Sequence, residues 1–404
     1  MNRVSADGVI DVAAERRRTL GAALSHHFNS AGAALPSSDV LAAVVDHLRL
    51  EERLGGYEAA ALVKDATEAA YSACAALVGA QPEEIALFDS ASTALRVLLD
   101  AVRPAPGTRL VAARSTYVSH ALHLMTLVRE RGSELVVVPT DDARRVDLGA
   151  LTDVLADGRP SIVTVAHVPT SSGLDEPVAD IGRIARAAGA TYLLDATQTV
   201  GHLRVDVDEI GCDALVTTGR KFLRGPRGTA FAYIRRSFAE RLLPTAPDVR
   251  GSRWSSGDDW EVLPGARRFE TWEASVAARL GLGRAVTEVL ERGIDATAAF
   301  LCGLAGTVRA RLAEVPGIVP ADPADARSGI VTFTVDGVPA ADVVRRLAER
   351  NVRVVAVPAA HGQWDLGDRG IASVVRASVH VYNDHGDVDA LVRAVAEVAK
   401  EGVR

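Results

Sequence analysis

The stretch SIVTVAHVPTSSGLDEPVADIGRIARAAGATYLLD, residues 161–195, decides the fold. It begins with an apolar, β-branched run at 161–167, continues with apolar residues at helical spacing over 178–188, and ends with a second apolar run at 191–195. Strands in which nearly every residue is apolar are typical of a parallel sheet that is buried on both faces. Two such strands joined through a helix predict a parallel βαβ unit.

The same alternation of short apolar runs and helical patterns continues on both sides of this unit, from residue 57 onward. We therefore predict an α/β fold in which helices cover both faces of a mostly parallel sheet. Further strands of this sheet are expected at 109–113, 134–139, 214–217 and 229–234. Further helices are expected at 57–78, 93–102 and 119–131.

The length of 404 residues exceeds what one hydrophobic core of ordinary size can hold, so two lobes are expected. We predict an N-terminal extension at 1–27, a large α/β domain at 28–270 and a small C-terminal α+β domain at 271–404. Within the small domain, helical patterns span 273–314, followed by strands at 330–335, 352–357 and 374–381, a helix at 340–350 and a last helix ending near Lys400. Residues 244–264, rich in Pro, Gly, Ser and Asp, predict a long irregular loop.

Composition argues against several function classes. The net charge of −7 disfavours nucleic acid and anionic membranes as partners, because binding to either needs a broad cationic surface. No run approaches the ~20 apolar residues that span a bilayer, and residues 1–24 lack the apolar run of a secretion signal. Cys74, Cys212 and Cys302 lie far apart without zinc-site spacing, so we expect no metal site and reduced thiols in a cytoplasmic protein.

The stretch TGRKFLRGPRG, residues 218–228, gathers four cationic side chains and three glycines into eleven residues. Within it, Lys221 lies between Gly219 and the apolar pair Phe222-Leu223. A lone lysine is normally a solvated surface charge. A lysine held among apolar residues is partly desolvated, and its neutral amine is then available for Schiff-base chemistry.

Three other features fall near strand ends, where open α/β sheets place their ligands. Asp195 ends a strand, and such a carboxylate either caps the next helix or serves as an acid. Residues 89–93, DSAST, open a helix and are compatible with an ordinary N-cap or with a phosphate held by backbone N–H groups. Arg376, on a late strand, is suited to binding a carboxylate. With Lys221 these features form the set that pyridoxal phosphate enzymes need.

The ordered motifs DATQ at 195–198, TGRK at 218–221, GPRG at 225–228 and RAS at 376–378, with YN at 382–383, resemble the class V aminotransferase family. This fold-type I group of pyridoxal phosphate enzymes includes cysteine desulfurases, selenocysteine lyases, isopenicillin N epimerases and C–S lyases. The similarity extends from about residue 28 to the C-terminus. It implies the fold-type I transferase fold, pyridoxal 5′-phosphate as cofactor, an amino-acid substrate, and a homodimer with its sites at the interface.

The resemblance also implies roles for individual residues. Lys221 forms the Schiff base with the cofactor and moves the Cα proton, while Asp195 keeps the pyridine nitrogen protonated. Tyr117 stacks on the cofactor ring, Gln198 binds its 3-oxygen, and Arg376 takes the α-carboxylate of the substrate. The phosphate is expected among Ala91, Ser92, Thr218 and Arg220.

The sequence departs from the family pattern at several points. Desulfurases attack the substrate's sulfur with a cysteine on a mobile loop, but the corresponding loop, AAHGQWDLG at 359–367, has none, so persulfide chemistry is not expected. Thr170 stands near the cofactor ring, where many relatives have asparagine. RFETWE at 268–273 replaces a Gly-Thr-Pro whose threonine reaches the partner's phosphate, so that contact is not expected. Arg224 and Arg227 receive no role, and we expect them to be solvated or to face the partner.

Three residues are candidates for the substrate side of the site: Asn29, Tyr57 and His380. Tyr57 is equally compatible with an exposed helix start. His380, like His120 and His361, is compatible with acid or base work and also with a structural or surface role.

The missing loop cysteine and the resemblance favour a lyase that cleaves the Cβ–S bond of a cysteine S-conjugate by α,β-elimination, in specialised antibiotic or thiol metabolism. Transamination, epimerisation and decarboxylation coupled to oxidative deamination are the alternatives. They differ in which Cα bond lies perpendicular to the cofactor ring, which the sequence does not show. A cofactor-binding relative without turnover is a further alternative, and the presence of both Lys221 and Asp195 argues against it.

Overall fold

Strands and helices alternate along residues 10–402, which the computed structural model describes; residues 1–9 of the expected N-terminal extension and residues 403–404 lie outside the described residues. The strands are β1 (His26–His27), β2 (Ile85–Phe88), β3 (Arg109–Ala112), β4 (Glu134–Val137), β5 (Ser161–Ala166), β6 (Thr191–Asp195), β7 (Ala214–Thr218), β8 (Ala230–Ile234), β9 (Ser252–Ser256), β10 (Asp259–Val262), β11 (Ile318–Pro320), β12 (Ile330–Val335), β13 (Val352–Arg353), β14 (Val355–Pro358) and β15 (Ser373–Ser378).

The helices are α1 (Val12–Arg17), α2 (Ser30–Ala33), α3 (Ser38–Leu54), α4 (Gly56–Leu62), α5 (Lys64–Val78), α6 (Ala91–Val102), α7 (Val118–Arg131), α8 (Leu148–Leu155), α9 (Val178–Ala187), α10 (Val207–Ile210), α11 (Arg236–Ala239), α12 (Val276–Arg292), α13 (Ile294–Ala313), α14 (Ala340–Glu349) and α15 (His385–Gly402). Over residues 10–402, no helix combines the length and the apolar character that crossing a membrane requires.

The large lobe is built on a sheet of order β2-β8-β7-β6-β5-β3-β4. Its pairs are parallel except that β8 runs antiparallel to both of its neighbours. The expected βαβ unit is confirmed as β5, α9 and β6, with Val163 opposite Tyr192. All six residues of β5 are buried, and alternate side chains enter different cores, because Val163 and Val165 pack on one face of the sheet and Ile162 on the other.

The small lobe is built on an antiparallel sheet of order β11-β12-β15-β14. Its core takes in α13, α14 and α15, together with Phe28 and Ala31 from residues 10–37, which we call the N-terminal segment. That segment also pairs β1 with β13 and bridges Asn29 to Ser378 on β15. Helix α12 packs against α3 and α5 of the large lobe. The domain boundaries themselves stay a prediction.

Two local predictions were wrong, and strand β2 was missed. Residues 244–264 hold a β-hairpin, β9 and β10, in which Trp254 lies opposite Trp260. Most residues of the hairpin are exposed, so it lacks the alternation of apolar and polar residues that marks a half-buried strand. The single helix expected at 57–78 is broken at Val63 into α4 and α5. Strand β2 was not predicted, although all four of its residues are apolar.

Candidate active site

The carboxyl ends of β2, β3, β5, β6 and β7 meet at one edge of the large sheet, and a cavity of about 490 Å³ lies there. This volume is within the range of small-molecule sites. The cavity brings together all nine residues that the resemblance assigns to the cofactor: Ala91, Ser92, Tyr117, Thr170, Asp195, Gln198, Thr218, Arg220 and Lys221.

Lys221 follows β7 in a tight turn, and only 8% of its surface is exposed. Burial lowers the pKa of Lys221 to about 7, and the positive charges of Arg220 and Arg376 act in the same direction, against Asp195. Because the charged form is disfavoured, a substantial fraction of the amine is neutral near pH 7. The neutral amine is the form that reacts with a carbonyl group.

Asp195 ends β6, and its Oδ1 accepts the backbone N–H of Thr197 at 2.9 Å. The carboxylate also lines the cavity. The two interpretations of Asp195 are therefore compatible, since one oxygen can stabilise the turn while the carboxylate faces the cavity. A carboxylate there is suited to holding a proton on a ring nitrogen.

Arg376 lies on β15 of the small lobe and reaches the large lobe through Thr170. The guanidinium nitrogen Nη1 donates to both the carbonyl oxygen and the Oγ1 of Thr170, at 3.0 and 2.6 Å. Nη2 donates to Asn29 Oδ1 at 3.4 Å. Burial lowers the pKa of Arg376 to about 10, and the charge of Arg220 contributes in the same direction. The guanidinium therefore still carries its charge near neutral pH.

The N-terminal segment forms another part of the site. Gln198 Nε2 donates to the carbonyl oxygen of Ala31 at 3.1 Å, and Arg220 donates to that of Gly32. Burial lowers the pKa of Arg220, and Arg227 contributes in the same direction. Two side chains assigned to the cofactor are thus held in place by backbone carbonyl groups of the N-terminal segment.

Unpaired polar atoms test whether pyridoxal phosphate fits this cavity. Gln198 Oε1 and Thr197 Oγ1 belong to the cavity lining and are buried without a hydrogen-bond partner among residues 10–402, as is Nε of Arg376, which contacts Thr170 of the lining. Buried polar atoms are normally paired, so two unpaired ones in the lining of one cavity favour a polar ligand. At the other end, Ser90 Oγ caps Thr93 N–H at 3.1 Å, and the first N–H groups of α6 stay available to an anion. The residues present fit the cofactor.

The pKa of Lys221 predicts how the rate of cofactor incorporation depends on pH. Because the amine loses its proton as pH rises through about 7, the rate with which the apo-protein takes up pyridoxal phosphate should rise between about pH 6 and pH 8 and then level off. Stopped-flow absorption at a series of pH values measures this rate, with Lys221→Ala protein as the blank. A rate that still rises near pH 10, the ordinary range of lysine, would contradict the assignment.

The candidates for the substrate side are placed differently. Asn29 contacts Arg376, as given above. Tyr57 is exposed and lies in a separate groove with Trp272. His380 is buried away from the cavity lining, donates from Nε2 to the carbonyl oxygen of Phe222 at 3.1 Å, and accepts a backbone N–H at Nδ1. We therefore leave Tyr57 and His380 out of the proposed site.

The two other histidines differ in their surroundings. His120 lines the cavity, but it is buried and bound to Thr164 Oγ1 at 2.6 Å, and burial lowers its pKa to about 3. His361 is exposed, and its ring centroid lies 6.2 Å from that of Tyr117. Its segment is held to the large lobe by an ion pair between Arg114 and Asp368.

Sequence reasoning missed several residues that line the cavity: Arg96, Ser119, His123, Thr126 and Arg227. Arg96 follows Ser92 by four residues on α6. On α7, His123 follows Ser119 by four residues, and Thr126 follows His123 by three. Residues at these spacings share one face of a helix, so this signal was available. The expectation for Arg224 was wrong. It is 1% exposed, because its guanidinium is enclosed by Glu15 and by the carbonyl of Leu35.

Comparison with known proteins finds one matching family model and several similar proteins. The family model described as Aminotransferase class-V matches residues 26–391. The chain is 28% identical over 402 residues to a probable cysteine desulfurase of Methanothermobacter thermautotrophicus, covering 96% of this chain and 98% of the relative. It is 30% identical over 383 residues to a probable hercynylcysteine sulfoxide lyase of Mycobacterium tuberculosis, covering 94% and 92%.

The comparison with solved structures bears on the fold. The apo structure of a cysteine desulfurase from Thermococcus onnurineus matches with a TM-score of 0.89 at 24% identity, covering 96% of this chain and 97% of that one. The expected fold-type I architecture, with a mostly parallel sheet and a smaller α+β lobe, is confirmed.

Proposed function

The chain belongs to the class-V aminotransferase family and is a pyridoxal phosphate enzyme, and from this premise we propose that it cleaves the Cβ–S bond of a cysteine S-conjugate by α,β-elimination. The observation that carries the proposal is the segment beside Tyr117, which presents His361 and contains no thiol. The similarity to a relative named as a probable hercynylcysteine sulfoxide lyase also supports cleavage of a C–S bond.

The three cysteines are unsuited to taking up sulfur from a substrate. Cys74 and Cys212 are buried, and burial raises the pKa of Cys212 to about 12 and that of Cys74 still higher. Cys302 lies on α13, and burial raises its pKa as well. Within residues 10–402, no cysteine lines the cavity. Since thiolates are the reactive form, a sulfur that leaves the substrate here would leave with its own substituent.

Arg376 would bind the α-carboxylate of the substrate. Its contacts with Thr170 and Asn29 fix the guanidinium, and its unpaired Nε is available for a charge-assisted bond to a carboxylate oxygen. This pairing would orient the amino acid, so that its Cα–H bond meets Lys221 in a defined geometry.

Lys221 would remove the Cα proton. Bound pyridoxal phosphate supplies an electron-withdrawing ring that stabilises the negative charge left on Cα. Asp195 would keep a proton on the ring nitrogen, and the ring withdraws electrons more strongly in that form. The Cα–H pair then forms the Cα–Cβ double bond, the Cβ–S pair leaves with sulfur as a thiolate, and the proton stays on Lys221 Nζ. Water converts the remaining three-carbon fragment into pyruvate and ammonia.

We also infer that the protein works as a homodimer. Several large apolar side chains are exposed, and Tyr57 and Trp272 share one groove. The hairpin adds Trp254 and Trp260, which are also exposed. Aromatic side chains are enriched at protein–protein interfaces, so we assign these four exposed residues to the contact with the partner subunit.

Product analysis tests the elimination. The holoenzyme is incubated with S-alkylcysteines, a cysteine sulfoxide and free cysteine, and the products are identified by mass spectrometry. We expect pyruvate and ammonia with the sulfur fragment in equal amounts. The matched control is the S-alkylhomocysteine, whose sulfur is attached to Cγ and cannot leave in a β-elimination. A keto acid, an epimer or a decarboxylated product that keeps its sulfur substituent would overturn the proposal and leave the cofactor assignment intact.

A further inference from the structure

Lys221 lies in a turn whose backbone is bound at every carbonyl over residues 219–222. The donors to these four carbonyls, in chain order, are Gly225 N at 2.7 Å, Ala34 N at 2.9 Å, Arg224 N at 2.9 Å and His380 Nε2 at 3.1 Å. The side chain after Lys221 is held as well, because the Phe222 ring stacks between the rings of His202 and His380, with centroids 4.2 and 5.9 Å away. The position of the Lys221 amine therefore depends on this turn.

Arg224 closes the turn in an unusual conformation. Its φ is +64°, in the left-handed region that is unfavourable for residues with a side chain. Its guanidinium is buried and donates to the Leu35 carbonyl oxygen at 2.8 Å, to Glu15 Oε2 at 2.8 Å and to Thr19 Oγ1. All three acceptors belong to residues 15–35. The N-terminal segment thus stabilises the arginine in a conformation that it would otherwise disfavour.

Glu15 is shared between two buried arginines. Its second oxygen accepts from Arg292 at 3.1 Å, and both guanidiniums are about 1% exposed. Burial pushes the pKa of Glu15 up, but the two positive charges outweigh this effect and hold the pKa below its usual value. Removing the charge of Glu15 would leave Arg224 without its carboxylate partner and Arg292 with only the more distant charge of Glu288, which is unfavourable for two buried cations.

We propose that Glu15 and Thr19 are positioning residues for the bound cofactor, because by anchoring Arg224 they hold the left-handed turn that fixes Lys221. Neither residue lines the cavity, so both act through Arg224. This inference needs only the cofactor and Lys221. It does not depend on which reaction the enzyme catalyses.

The holoenzyme variants Glu15→Gln and Thr19→Val test the proposal. The visible circular dichroism of the bound cofactor reports its fixed orientation, and dilution into a trapping reagent gives its release rate. We expect both variants to lose most of the visible dichroism and to release the cofactor faster, by about tenfold for Glu15→Gln because it breaks a buried ion pair. If Glu15→Gln protein does not fold, Thr19→Val decides alone, since it removes one acceptor and no charge.

The matched control is Glu288→Gln. Glu288 is also a buried carboxylate that binds the N-terminal segment, through Arg18 and through Ser37 Oγ at 2.7 Å, and its charge acts on Arg292, but it is not hydrogen-bonded to Arg224. The Glu288→Gln substitution should lower the melting temperature and leave the visible dichroism and the rate of cofactor release unchanged. Equal changes in the control, or unchanged dichroism and release in Glu15→Gln and Thr19→Val, would overturn the proposal.

The substitutions Arg224→Gly and Arg224→Ala distinguish the effect of the backbone conformation at this position from the effect of the side chain. Either one leaves Glu15 paired with Arg292, so the charge of the cluster stays balanced. Glycine adopts the left-handed conformation readily and alanine does not. If the conformation of the turn fixes Lys221, Arg224→Gly protein keeps more of the visible dichroism than Arg224→Ala protein. Equal losses in the two variants would contradict this step.

Discussion

Turnover of a cysteine S-conjugate falls by about 10³- to 10⁴-fold in Lys221→Ala protein, the upper part of the range for loss of a general base. The variant removes the amine that takes the Cα proton, while Arg220, Asp195 and the start of α6 still hold the cofactor. Steady-state assays of pyruvate release measure the rate. The cofactor content of the purified variant, measured after denaturation, shows whether the binding site is intact.

Lys64 and Lys400 are the other lysines of the sequence, and both are exposed. Lys400→Ala protein should keep the full rate and serves as the control. Small primary amines added to Lys221→Ala protein should restore part of the turnover, because the deleted side chain leaves room for them. Unchanged turnover in Lys221→Ala protein would remove Lys221 from the mechanism.

The second large effect is expected for Arg376→Gln. The value of kcat/KM for a cysteine S-conjugate should fall by about 10²-fold, because hydrogen bonds to a charged group contribute about 1.5–3 kcal/mol each. Most of the loss should be in KM, since Arg376 binds the substrate and does not move a proton. Glutamine is polar and uncharged, so the substitution removes the positive charge that binds the carboxylate.

A substrate without the carboxylate isolates this effect. For the matching cysteamine conjugate, the wild type and Arg376→Gln protein should have nearly the same kcat/KM. Arg353→Gln, at an exposed arginine on β13 of the same lobe, serves as the control. An equal loss on both substrates in Arg376→Gln protein would mean that Arg376 acts on the architecture of the site and does not bind the carboxylate.

The fold could be predicted where the sequence pattern is local and strong. Strand β6 begins and ends at the residues expected, and β5 ends one residue earlier, because fully apolar runs flanked by helical patterns leave few alternatives. The hairpin formed by β9 and β10 could not be predicted in this way. Its shape is set by cross-strand pairs such as Arg253 with Glu261, and most of its residues face solvent.

The residues assigned to the cofactor could be expected at one cavity because each lies at or shortly after the end of a strand; their contacts with the cofactor stay a prediction. The surroundings of Arg224 could not be predicted, since Glu15 precedes it by 209 residues and no local pattern links the two. The contact between Arg376 and Thr170 spans 206 residues, and the same reasoning applies. Tyr57 was expected near the substrate but lies in a separate groove. Its residue type suited a binding site, but the sequence did not show how far it lies from the cavity.

The segment around Ala31 has a consequence for the biosynthesis of the enzyme. Ala31 N–H donates to Ser378 Oγ across 347 residues, and β15 contributes both Ser378 and Arg376. The strands of the large sheet are all translated before β15, so that sheet can form on the ribosome while Arg376 and the support that Ser378 gives to Ala31 are still missing. We therefore expect the nascent chain to capture the cofactor productively only near the end of translation, when β15 has emerged and joined the N-terminal segment.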